Sequence, residues 1–280
     1  MVAAAFFFSL MSLLVKLVGQ SMPSQEIVLV RGLVTIVIAY TAVRRMVGLD
    51  FRGKRRGLLI LRGVLGFAAV SCFFYGVVHL PLADVTVIHY TNPAFTAAIA
   101  ALVIAEPVRR RDAASLAASL TGVVLIARPS FLFEGASRLD PFATGVALLG
   151  AILSAGAYVT VRELRHTEHP MVIVLWFAVV TTLGSIPATV SGFVMPEGWQ
   201  WLALAGVGVT THLGQVLLTH GLAVETAGRA MTVGYVQIVF AALWGALFFG
   251  ERPDVWTGLG AILIVVSTLA VARRARIGAP

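Results

Sequence analysis

In the stretch VIHYTNPAFTAAIAALVIAEPVRRR, residues 87–111, His89, Asn92, Pro93 and Thr96 recur at helical spacing, with Thr86 three residues earlier. An imidazole, a carboxamide and a hydroxyl on one face can exchange hydrogen bonds with a small polar molecule. Pro93 has no N–H, so the carbonyl of His89 loses its helical donor and a kink is predicted nearby. A freed carbonyl beside an imidazole suits an ammonium or hydroxyl group. This is recognition chemistry, with no bond made or broken. The alternative is that His89 and Asn92 only join neighbouring helices.

The rest of the chain decides what surrounds that face. Of its 280 residues 59% are hydrophobic and 12% charged, with mean hydropathy +0.92, against roughly 25% charged in soluble domains. The reading is an all-α integral membrane protein. Spanning the hydrocarbon takes about 20 apolar residues in a helix, and ten segments qualify: 2–19, 25–43, 58–79, 83–105, 113–132, 141–161, 170–191, 199–222, 228–249 and 254–272. The first lacks the basic start and cleavage site of a signal peptide and reads as a retained helix. Polar groups are expensive in hydrocarbon, so the His89 face is predicted to look onto protein or a water-filled cavity.

The net charge of +8 follows topology. With the N-terminus inside, fifteen of the twenty-one basic residues fall on the inner side, three (Arg128, Arg138 and Arg252) on the outer side, and Lys16, Arg31 and Arg62 within segments. The positive-inside rule then makes both termini cytoplasmic, in a multi-pass protein of the cell (inner) membrane. No nucleic-acid partner is implied; the partners are a small-molecule substrate and the lipid bilayer. Cys72 is the single cysteine, read as a small buried side chain.

A shift of 145 residues aligns Gly76 with Gly221, Tyr90 with Tyr235, Phe95 with Phe240 and Glu106 with Glu251, and both copies close on Ala or Gly, then Glu, then Pro (IAEPV, FGERP). Two five-helix copies, 1–132 and 141–276, enter the membrane from opposite sides because five is odd. The predicted fold is thus ten transmembrane helices as two inverted repeats around a central cavity, an arrangement mostly of transporters and channels.

With LVRGL in the second helix and a Glu ending the fourth and ninth, the chain resembles the EamA-type branch of the drug/metabolite transporter superfamily. Its fourth helix resembles amino-acid exporters of the YddG type. The resemblance covers the whole chain and implies a ten-helix basket exporting small polar or amphipathic metabolites by alternating access. Export as the direction comes from the resemblance alone.

Further candidates surround the first stripe. In THLGQVLLTHG, residues 211–221, Thr211, Gln215 and Thr219 recur every fourth position with His212 beside them, and Gln237 is the repeat partner of Asn92. Helices three, four, eight and nine are therefore expected to wall the site. Tyr75, Tyr90, Tyr158, Trp176 and Tyr235 offer flat faces with polar tips, either to cargo or to interhelical packing. Arg31, about 10 Å into the second helix at 1.5 Å per residue, either draws a substrate carboxylate or snorkels and pairs with Glu26. Trp199, Trp201 and Trp256 read as interface anchors, and Ala114, Ala118 and Gly122 as a close-packing stripe. Glu106 and Glu251 are expected to hold the short turns together by capping or by pairing with nearby arginines.

No Asp or Glu lies at mid-segment, which favours a passive or facilitated carrier over a proton antiporter. The expected cargo is an amphipathic solute such as an amino acid; the alternatives are an importer or proton-coupled antiporter of drugs, quaternary amines or sugars. A channel fits poorly, because the polar stripes stop mid-helix. No nucleophile elbow, HExxH or phosphate loop appears in context, so neither an enzyme nor a cofactor is expected. The RHTEH run, with His166 and His169, is not read as a metal site. A monomer is favoured.

Overall fold

The computed structural model describes residues 1–19, 22–46, 49–129, 132, 139–190, 192–250 and 254–277, with the side chains of 82, 83 and 274–277 excepted. Glu251, Arg252 and Pro253, the last three residues of FGERP, fall outside the described residues, as does Arg138. Those described form helices and no strands: α1 (Val2–Val18), α2 (Ser24–Arg45), α3 (Arg56–His79), α4 (Leu82–His89), α5 (Asn92–Val103), α6 (Arg110–Ala127), α7 (Pro141–Leu164), α8 (Pro170–Val190), α9 (Trp199–Val224), α10 (Ala227–Gly234), α11 (Val236–Phe249) and α12 (Val255–Ile277). Seven helices among the described residues are long and apolar enough to cross a membrane, α10 with α11 counting as one. In lipid a helix satisfies its own backbone, which is why Leu102, Val103, Leu202 and Val266 can stay exposed.

Local signals set the ends. Pro141 and Pro170 open α7 and α8, where a missing N–H costs nothing. Asp140 caps α7 by accepting from the N–H of Phe142 at 3.0 Å, and Asp254 caps α12 through Thr257 N at 2.9 Å.

The chain forms two compact units: Met1–Val2, Ala68–Val159 and Glu225–Pro280 make the first, and Ala3–Phe67 and Thr160–Val224 the second. Each draws elements from both the first and the second half of the chain, and α3 and α7 contribute to both.

In the first unit α6 lies against α12. The buried hydroxyls of Ser119 and Ser267 bond across this contact at 2.5 Å, and Arg128 pairs with Asp254 at its end. This corrects the expected stripe: Ser115, Ser119 and Gly122 form the buried face, whereas Ala114 is exposed and Ala118 half-buried. Cys72 is half-buried rather than buried.

The fourth segment is not one helix. It breaks between α4 and α5, and the ninth breaks at Tyr235 between α10 and α11. The backbone also takes positive φ at Ala105, 53°, and 145 residues later at Gly250, 67°. Glycine adopts that region freely, whereas alanine is strained there. Ala105→Gly should therefore stabilise the protein by about 1 kcal/mol, read as a higher melting temperature in detergent; an unchanged or lower value would show that alanine carries no strain.

In the second unit α2 packs on α8 and α9, with α9 also against α8. Val18, Met22, Ile27, Ala203, Leu204 and Val207 form its buried apolar cluster. Glu26 is fully buried and accepts from the backbone N–H of Val194 at 3.0 Å. Glu168 accepts from the amides of Lys54 (2.6 Å) and Arg55 (2.5 Å), capping the start of α3.

Candidate functional site

The first unit holds eight of the expected site residues. At the break Ala94 N–H bonds to Thr91 O at 3.0 Å, a tightened turn, and this withdraws the usual donor from the carbonyl of Tyr90. Tyr235 replaces it: its hydroxyl donates to that oxygen at 2.8 Å. The rings of Tyr90 and Tyr235 stack with centroids 5.7 Å apart. Each break is thus marked by a tyrosine, and one tyrosine completes the other's backbone.

His89 lies on Phe73 with ring centroids 4.7 Å apart, and its edge meets Tyr90 at 6.1 Å. The break interrupts the helical register, so His89 belongs to α4 while Asn92, Pro93 and Thr96 form a buried face of α5. The continuous stripe expected from spacing is therefore two pieces. Asn92 Oδ1 is buried with no hydrogen-bond partner among the described residues. Thr96 turns its hydroxyl back to the carbonyl of Asn92 at 2.7 Å, leaving it only as an acceptor. Gln237, two residues past the second break, and Tyr158 on α7 are half-buried. Tyr75 stands apart, stacked on His79 at 4.0 Å and edge-on to Phe142.

The second unit holds the other four. Gln215 on α9 accepts from Arg62 Nη2 at 3.3 Å. His212 is buried, its Nδ1 without a partner among the described residues. Arg31 directs Nη1 at the sulfur of Met11, 3.9 Å away, while the carboxylate of Glu26 serves Val194. Trp176 donates its indole N–H to the carbonyl of Phe51 at 3.1 Å, so its polar tip holds the loop before α3.

The sequence pattern does not place Arg62 among the candidate site residues. It is 3% exposed, with its guanidinium carbon 4.0 Å from the ring centre of Phe177. The available signal was a cation inside an apolar run, which by default marks a functional position. Glu106 caps, at a distant helix: it accepts from the N–H of Ala227 at 2.8 Å at the start of α10, 121 residues on. Beside it Arg229 meets Glu225 at 3.1 Å and Asp112 at 3.7 Å. The cleft lined by Glu106, Asp112, Arg229 and their neighbours has a volume of about 30 Å³, room for a water and not for a metabolite.

With this geometry in hand, the relatives become informative. The EamA-like transporter family model matches residues 1–128 and 142–273. The chain belongs to the EamA-like transporter family. It is 36% identical over 273 residues to the pseudopaline exporter CntI of Pseudomonas aeruginosa (strain UCBPP-PA14), covering 97% of this chain and 94% of that one. It is 31% identical over 285 residues to solute carrier family 35 member G1 of Homo sapiens, covering 97% and 77%. A probable transport protein of Saccharomyces cerevisiae is 32% identical, covering 77% of this chain and 67% of its own. A crystal structure with 16% identity superposes with TM-score 0.81, covering 98% and 97%, and shares the fold. The EamA-like chain is a multi-pass membrane transporter; its family and relatives are transporters and not enzymes.

Outside the spans, His169 is pushed below its ordinary value, first by burial and then by His220, whose ring centre lies 6.4 Å away. The folded state therefore favours neutral His169 and the unfolded chain binds the extra proton. That contribution is complete above the unfolded value of 6.5 and is lost as pH falls below it. Melting temperature should drop between pH 7.5 and pH 5, about the range in which a histidine titrates, and His220→Ala should shrink the drop. An equal drop in the variant would remove His220 from the cause.

Proposed function

We propose that the protein exports small amphipathic metabolites, amino acids foremost, from the cell by alternating access. The observation carrying this reading is the pair of helix breaks at Tyr90 and Tyr235, where backbone polar groups are freed inside apolar spans. Interrupted helices at membrane depth are tolerated where the backbone is buried in protein or lines a cavity, and transporters build binding sites from them. Breaks one repeat apart, with positive φ at Ala105 and Gly250, support two inverted copies. So do the two stretches matched by the family model. Counting α1, the α4–α5 pair and α6 with the seven longer spans makes ten, with both termini cytoplasmic in the cell (inner) membrane and the monomer as the working unit. The pseudopaline exporter's name supports export as the direction.

His89, Tyr90, Asn92, Tyr235 and Gln237 are the cargo-facing groups of the first unit in this reading, and His212 and Gln215 those of the second. The test is uptake of radiolabelled amino acids, sugars and quaternary amines by proteoliposomes, repeated with His89→Ala and Gln215→Ala. Each variant should lose about tenfold in rate, the effect of roughly 1.4 kcal/mol of lost interaction. Normal transport of every compound by both variants would end the site assignment. Proton-coupled exchange keeps one observation in its favour, the fully buried Glu26, whose Oε1 has no hydrogen-bond partner among the described residues. An imposed pH gradient that drives cargo uphill in wild type, and fails to in Glu26→Gln, would select it.

A further inference from the structure

Within the second unit α2 ends and α3 begins at one side of two apolar spans, so the chain between them meets the membrane surface. Residues 40–57 carry six cations and one acid, Asp50. The side chains of Arg44, Arg45, Arg52, Lys54 and Arg56 are exposed and make no ion pair among the described residues. The carboxylates nearby are engaged: Asp50 accepts from the amide of Arg52 at 2.9 Å, Glu163 pairs with Arg55 at 2.8 Å, and Glu168 takes the amides of Lys54 and Arg55. An excess of positive charge is left at this surface. Part of it is ordered into a strip. Arg44 lies over the ring of Tyr40 at 5.9 Å, Tyr40 meets Phe51 edge-on at 6.1 Å, and Arg52 lies over Phe51 at 5.8 Å. The backbone of Phe51 is pinned in turn, since Trp176 donates to its carbonyl at 3.1 Å. Two guanidiniums thus flank two exposed rings.

The rings continue into an apolar track. Leu33, Val37, Tyr40 and Arg44 recur at helical spacing on one face of α2, and Leu33 and Val37 are 48% and 62% exposed, beside Tyr40 at 42%. From Leu33 to Arg44 the helix rises about 16 Å at 1.5 Å per residue, close to half of the roughly 30 Å hydrocarbon core. That is the depth of one leaflet. We infer that Arg44 and Arg52 form a headgroup site for an anionic phospholipid, whose acyl chain lies along this face of α2. A phosphodiester accepts charge-assisted hydrogen bonds from guanidinium N–H groups, and basic residues just beyond a span draw anionic lipids to it. Aromatic rings settle at headgroup level, and here they bridge the step from chain to phosphate. A free phosphate would use the two cations and leave the track on α2 empty, so the exposed stripe selects the lipid. These residues are distinct from the proposed cargo-facing groups, and the site stands whatever the cargo is.

The test is lipid binding to the purified chain, read by native mass spectrometry in a neutral detergent with dioleoylphosphatidylglycerol, dioleoylphosphatidylcholine and inorganic phosphate as probes. Wild type should bind phosphatidylglycerol about tenfold more tightly than phosphatidylcholine, in keeping with two basic contacts at a lipid surface, and millimolar phosphate should not displace it. Arg44→Gln with Arg52→Gln should bring the two lipids within about twofold of each other. Arg109→Gln with Arg110→Gln removes the same charge from exposed positions at the start of α6 and should keep the preference. Equal affinity for the two lipids in wild type would overturn the site by showing no charge recognition. Equal losses in the two double variants would overturn it in favour of diffuse surface charge, and displacement by phosphate in favour of a bare anion site. Should Arg44→Gln with Arg52→Gln fail to fold, Arg52→Gln alone takes its place, with phosphatidylglycerol bound about threefold more weakly; unchanged binding would count against the site.

Discussion

Gly260→Val is expected to remove most of the folded protein, whereas Gly258→Val on the same helix leaves it intact. A Cβ at Gly260 would stand 2.5 Å from the carbonyl oxygen of Gly122, and one at Gly122 would stand 2.7 Å from that of Gly260. Both obstructions are backbone, which cannot rotate away. α6 and α12 must therefore separate, and separation breaks the buried Ser119–Ser267 bond. Overpacking costs about 1–3 kcal/mol, and the buried Ser119 hydroxyl, parted from Ser267 while Ser267 keeps its bond to Leu263 O, adds about 1–3 kcal/mol more. Stability of folded proteins totals only about 5–15 kcal/mol, so most of a weak margin disappears. Gly258 meets nothing within 4 Å, which makes it the control for valine as such. Monodisperse yield and melting temperature in detergent are the readouts, and equal losses in both variants would refute the tight α6–α12 contact.

Tyr235→Phe should reduce transport about tenfold with folded yield preserved. The variant keeps the ring stack on Tyr90 and deletes only the hydroxyl that donates to the Tyr90 carbonyl. That oxygen has lost its own helical donor, and leaving a buried acceptor unmade costs about 1–3 kcal/mol. The break then relaxes away from the geometry that, in the proposed reading, presents His89 and Asn92 to cargo. Tyr90→Phe separates the explanations, because the acceptor is backbone and the bond survives, and the ring face that Tyr90 offers to cargo in the proposed reading is kept; its rate should stay within about twofold of wild type, well under 1 kcal/mol. If both variants fall alike, the phenolic hydroxyls matter as such and the carbonyl bond does not explain the loss.

What could be read without coordinates was whatever depends on a residue's own chemistry. Low charge and long apolar runs require helices in lipid, because each helix satisfies its own backbone. Pro93 lacks an N–H wherever it stands, so a kink near His89 was legible, and the family followed from local motifs in order along the chain. The full break was not legible, because the turn that resets the register after Tyr90 depends on where Ala94 bonds, and the spacing of His89 to Asn92 assumes it does not.

Long-range partners were decided only by tertiary structure. Tyr235 finds the Tyr90 carbonyl across 145 residues, Arg62 finds Gln215 across 153, and Glu106 finds the α10 amide across 121. A carboxylate is equally suited to its own turn or a distant helix start, and a buried arginine equally to a strut or a binding site. Composition and spacing do not distinguish these choices, since the difference lies in which apolar faces pack first and which polar groups that packing then leaves within reach.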